Sequence, residues 1–221
     1  MPQSIILQPQ EPELTFCVDD LPVLTALITL PHRENPRCAR FNRYYRACAE
    51  TFKRSCQHEL FPRAEAAYYQ AREHSLAIPQ WQAQLRSTVT LQREHLISLR
   101  TDTSLTGTPQ PYSARRGDTW DLRHGFLLSL ADCFPPHTPW RKQLLAFSFH
   151  QICDWEAQDI ARYHENWQQQ LHRAFHPHNF YLTEEGLCFF FPFASIAPPI
   201  EGIPTFCIPY NDQSGPFIPS V

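Results

Sequence analysis

The sequence predicts an α+β protein, an antiparallel sheet or sheets with helices packed on one face. Three observations carry that expectation. Apolar residues recur first at a spacing of two, then at three to four, then at two, three to four and two again along the chain. The 221 residues are 43% hydrophobic and 13% aromatic, enough for a core that hides about 70–75% of the unfolded surface. Prolines number 21 against 6 glycines, which suits many rigid strand ends and turns rather than glycine loops cradling phosphate.

Residues 4–18 read as one or two short lead-in strands carrying Pro9 and Pro12, and Leu21 to Leu30 reads as a strand closed by Pro31. Asn35 and Pro36 then suit a helix start. Phe41, Tyr45, Cys48, Phe52, Cys56 and Leu60 form one stripe of a helix of about 24 residues. Pro62 interrupts it, and Arg63 to His74 continues as a second or kinked helix. Leu85, Ser87, Val89 and Leu91 alternate with polar neighbours, as do Ile97, Leu99, Thr101 and Thr103, so a long hairpin with one wet face is expected. Gly107 to Gly117 reads as a loop, with strands at Asp118–Leu122 and Leu127–Leu130 around a turn at His124-Gly125. Ile152, Tyr163, Trp167, Leu171 and Phe175 mark a helix from about Cys153 to Phe175. In the aromatic hairpin that follows, Gly186 is expected to take the left-handed conformation and Leu187–Phe191 to be a central strand. Ile203 to Tyr210 returns as an edge strand. The halves 1–107 and 108–221 are expected to pack as one unit.

A net charge of -3 and a pI near 6.4 give no basic excess for phosphates, which excludes nucleic acid as a natural partner. No apolar run reaches the ~20 residues of a spanning helix, and no export signal is visible at Met1 to Gln10. A cytoplasmic location is the resulting expectation. The eight cysteines contain no C-x-x-C pair and read as buried reduced thiols, their even number also allowing disulfides.

Three groups invite a chemical reading. His172 and His176, four residues apart on the expected helix, could hold a divalent metal with Asp19 or Asp20, as a metal-dependent hydrolase of deacetylase type would need. Against that, histidines at a helix carboxyl end are explained by the dipole. Glu184-Glu185 could be a catalytic pair but read as turn residues in water. Trp140, Trp155, Trp167 and Tyr163 could form a sugar platform but read as core at helical spacing. No nucleophile signature occurs. The chain is therefore expected to be no enzyme and to need no cofactor.

Asn179-Phe180-Tyr181-Leu182-Thr183, Glu185-Gly186-Leu187, Phe189-Phe190-Phe191, Ile196-Ala197-Pro198, Gly202-Ile203-Pro204 and Ile208-Pro209-Tyr210 resemble the carboxy-terminal half of the RsiV-like family. That family comprises the extracytoplasmic sensor regions of lysozyme-responsive anti-sigma factors. Phe41-Asn42, Thr119 to Gly125 and Leu128 to Asp132 look like its earlier landmarks. The resemblance implies an extracytoplasmic binding domain for a lysozyme-type muramidase or a cell-wall ligand. The proline-stiffened loop of Phe193, Ser195, Ile196, Pro198, Pro199 and Glu201 is the expected contact surface. Pro199 stands where the resemblance implies an aromatic residue. A cytoplasmic scaffold that has lost the sensor role is the remaining expectation.

Overall fold

The computed structural model describes residues 6–9, 14–35, 38–211 and 215–220. Strands β1 (Ile6–Pro9), β2 (Leu14–Val18), β3 (Leu21–His32), β4 (Trp81–Gln92), β5 (Leu96–Thr106), β6 (Tyr112–Asp121) and β7 (Phe126–Leu127) form one sheet. Its order is β1-β3-β4-β5-β6-β7, with β2 also paired to β3. The α+β class is as expected. The β3–β4 pair is parallel, running from Leu24↔Trp81 to Thr29↔Arg86, because the long helical connection returns the chain before β4 begins. Strands β8 (Phe180–Leu182), β9 (Gly186–Phe190) and β10 (Thr205–Pro209) make a separate antiparallel sheet with β9 central.

Two compact units divide the chain at places other than residue 107. The first comprises 1–88 and 101–113, the second 89–100 and 114–221.

In the first unit, α1 (Ala39–Ser55) and α2 (Phe61–Glu73) are joined by a π-helical turn, Cys56–Leu60. Pro62 has no N–H to donate, and the wider turn absorbs this: the Phe61 N–H reaches back five residues to the Cys56 carbonyl. The N-cap of α1 is Cys38, which makes no side-chain cap bond, and the Asn35 carbonyl accepts the Cys38 N–H at 2.9 Å. Pro36 lies outside the described residues. The core here gathers Val23, Leu24, Cys56, Tyr68 and Trp81. Asp19 is committed to structure, accepting bonds from the Tyr68 hydroxyl at 3.0 Å and Arg72 at 2.8 Å.

In the second unit, the expected strand at Leu127–Leu130 stops after Leu127. The Ser129 N–H and hydroxyl both donate to Asp132 Oδ2 at 2.7 Å, a capping box that opens a 3-10 turn, Leu130–Cys133. The single helix expected over 153–175 is two helices, α3 (Trp140–Ala157) and α4 (Trp167–Ala174). Asp159, at φ 53°, breaks the first. All residues of β9 are buried. Phe189 and Phe191 join Phe175, Phe206 and Trp155 in the core, and Trp155 stacks on Phe206 at 5.4 Å between centroids. Trp167 is 5% exposed and Trp140, Trp155 and Tyr163 pack on the same cluster, so the tryptophans build core rather than a platform. Opposed residues Cys188 and Cys207 of β9 and β10 form a disulfide, correcting the all-thiol expectation for this pair.

Candidate functional site: the loop between β9 and β10

The loop of residues 192–204 is closed at its base where the Phe191 N–H donates to the Pro204 carbonyl at 2.9 Å. Its sequence supplies little flexibility, with Pro192, Pro198, Pro199 and Pro204 fixing φ at four positions. Within the loop, the Ser195 hydroxyl and N–H both donate to the Pro192 carbonyl, at 2.6 and 3.1 Å. Ile196 (0% exposed) and Ala197 (1%) plug the loop into the core. The segment after α3 clamps it from outside: the His164 N–H donates to the Ile196 carbonyl at 3.0 Å, and the Arg162 N–H to Glu201 Oε1 at 3.2 Å.

Pro199–Glu201 form a single 3-10 turn, with the Glu201 N–H on the Pro198 carbonyl at 3.0 Å and the Gly202 N–H on the Pro199 carbonyl at 3.1 Å. Gly202 leaves the turn at φ 73°, ψ -138°, a conformation open essentially to glycine alone. The turn holds Ile200 out at its crest, 90% exposed. No other large hydrophobic residue described is so exposed. Glu201 is half-buried. Together with burial, which acts first, its charge and that of Glu156 raise the Tyr163 hydroxyl well above its ordinary value, so Tyr163 stays neutral beneath the loop.

The structure therefore redistributes the six expected contact residues. Pro199 is exposed, and Phe193, Ser195, Pro198 and Glu201 are half-buried. Ile196 is an anchor rather than a contact, since its side chain has no surface left to offer. Ile200 was not among the expected residues. The available signal was an isolated branched apolar residue between a proline pair and a glycine, in a turn too short to have an inner face.

The metal reading loses its geometric premise. Because α4 ends at Ala174 and Phe175 is extended (φ -66°, ψ 123°), His172 and His176 do not lie one turn apart on a helix. The His176 ring instead neighbours that of His178, at 5.3 Å. Among the described residues, no three His, Cys, Asp or Glu side chains are grouped to hold a metal. Glu184 ion-pairs with Arg93, and Glu184-Glu185 are exposed turn residues, as expected.

The fold and loop together define a two-sheet α+β protein that presents a braced apolar crest. Residues 131–211, which contain the loop and the three-stranded sheet, match the family model described as "Protein of unknown function (DUF3298)". That stretch is thus similar to the family, over rather more than a third of the chain. The whole chain is similar in fold to two solved structures. One is a member of that family from Bacteroides fragilis, with TM-score 0.59, 16% identity, and 95% of this chain and 92% of that one covered. The other is a DUF3298 family protein from Pseudomonas aeruginosa PAO1, with TM-score 0.62, 21% identity, and coverage of 98% and 94%. No curated protein matches.

Proposed function

We propose that this chain is a non-catalytic binding domain that recognises a protein through the 192–204 loop, with Ile200 as the anchoring side chain. The observation that carries this reading is the 90% exposure of Ile200 on a 3-10 turn held at Glu201 by the Arg162 N–H. Burying an isoleucine contributes about 1.5–3 kcal/mol, and a pre-ordered loop loses little entropy on binding. Glu201 is the loop's single charged residue and is tied to a backbone N–H, so the loop offers no acid–base pair for catalysis. The RsiV-like resemblance makes a lysozyme-type muramidase the first partner to try, ahead of a cell-wall fragment. It also implies an extracytoplasmic site, where Cys188 and Cys207 would persist as a disulfide.

Calorimetric titration with a lysozyme and with soluble peptidoglycan fragments tests the reading. The expected outcome is saturable binding of lysozyme that Ile200→Asp weakens at least tenfold while the melting temperature stays unchanged. No binding by folded protein, or equal binding by the variant, would sink it.

A further inference from the structure

The second unit has an open apolar groove of about 830 Å³ between α3 and α4, on the far side of α3's sequence from the segment that clamps the loop. Leu145 (6% exposed) and Leu171 (2%) line it, joined by the half-buried Trp140 and the outward Phe149, which is 38% exposed. On α3 the lining runs from Trp140 to His150, about 15 Å at the helical rise. The size falls within the roughly 300–1,000 Å³ of small-molecule sites.

Charge decides what suits it. Arg141 and Lys142 line the groove, and no Asp or Glu does. Neither cation has an ion-pair partner among the described residues; the Arg141 guanidinium lies over the Phe175 ring at 5.4 Å. Both sit in the first turn of α3, which has no acidic residue and no side-chain cap. Cations there oppose the helix dipole, so an anion would relieve both the dipole and the two side chains. On α4 the lining spans Gln168 to His172, only about 6 Å. That wall is too short for the i, i+4, i+7 anchors of a docked helix, whereas a flexible chain needs none.

We infer that the α3–α4 groove binds a single-chain anionic amphiphile, its alkyl chain on Leu145, Phe149 and Leu171 and its carboxylate at Arg141 and Lys142. Calorimetry with dodecanoate below its micelle concentration tests this, using the full chain. The expected result is saturable one-to-one binding, at least tenfold tighter than that of dodecyltrimethylammonium, which has the same chain and the opposite charge. Arg141→Glu with Lys142→Glu, on exposed positions, should weaken dodecanoate binding at least tenfold with an unchanged circular dichroism spectrum. Ala146→Trp should block the groove to the same degree. Equal affinity for the two amphiphiles, no saturable binding, or undiminished binding in either variant overturns the inference. So does an acidic helical peptide that binds at the groove when dodecanoate does not.

Discussion

Asp121 closes the turn after β6, where it is 2% exposed. Its Oδ1 accepts the N–H groups of Arg123 and His124 at 2.8 and 3.1 Å, and its Oδ2 lies 2.6 Å from His124 Nδ1. Burial alone would raise this carboxyl, but the His124 side chain and the two backbone donors together hold it below the usual carboxylate value. A lowered folded pKa means the unfolded chain binds more protons on acidification. The contribution is therefore whole above the unfolded value of about 3.9 and is lost as pH falls through the folded value. Urea melts from pH 7 to pH 3 should show stability falling below about pH 4, and less steeply in Asp121→Asn than in the parent. Equal slopes would remove this role. The thiols provide a second residue-scale test. Burial pushes Cys56 up to about 11, and burial followed by the Asp132 charge pushes Cys133 up to about 12, while Cys17 and Cys153 are exposed. Brief alkylation of native protein, read by peptide mass spectrometry, should label Cys17 and Cys153 and spare Cys56 and Cys133.

Among the elements, Gly186 shows how a correct placement can carry the wrong reason. Glycine after Glu184-Glu185 suggested a left-handed turn. Instead the turn is closed by Thr183, whose hydroxyl donates to the Gly186 carbonyl at 3.0 Å and accepts the Gly186 N–H at 3.1 Å. Gly186 is already in β9, where a Cβ would stand 2.3 Å from the Ile208 carbonyl oxygen of β10. Gly186→Ala must therefore push two backbones apart at the Gly186↔Pro209 end of the ladder. A loss of about 1–3 kcal/mol is expected, seen as a lower urea midpoint at unchanged slope. The core strand itself was legible, since five successive apolar residues admit little else. The 153–175 region was not, because Ile152 and Tyr163 are 11 residues apart, three helical turns, so the stripe keeps phase across the break at Asp159. No proline or glycine marks that break. The paired histidines came from carrying the helix past Ala174, where Phe175 is already extended, and the short turn that lifts Ile200 left no period to read.

For the whole molecule, the division into 1–107 and 108–221 followed the proline- and glycine-containing stretch near residue 107, the natural place to look for a linker. Long-range strand partnership leaves no such local mark, and residues 89–100 belong with the second unit. Leu91 and Leu96 are 2% and 1% exposed in its core cluster. Ser98, fully buried, lies 2.9 Å from the Thr119 hydroxyl, and its own oxygen accepts the Leu182 N–H at 2.8 Å, linking the β5 residue to both β6 and β8. A fragment comprising 108–221 would lose two buried leucines, about 1.5–3 kcal/mol each, and leave the buried Leu182 N–H unpaired at about 1–3 kcal/mol. Those losses are comparable with the about 5–15 kcal/mol that stabilises a typical domain. The 108–221 fragment should therefore show no cooperative thermal transition and poor amide dispersion, and 89–221 should regain both. The 131–211 segment, which lacks β6 and β7 as well, should behave like the shorter fragment. A cooperative melt from 108–221 alone would show that Leu91, Leu96 and Ser98 cover the unit without being needed to fold it.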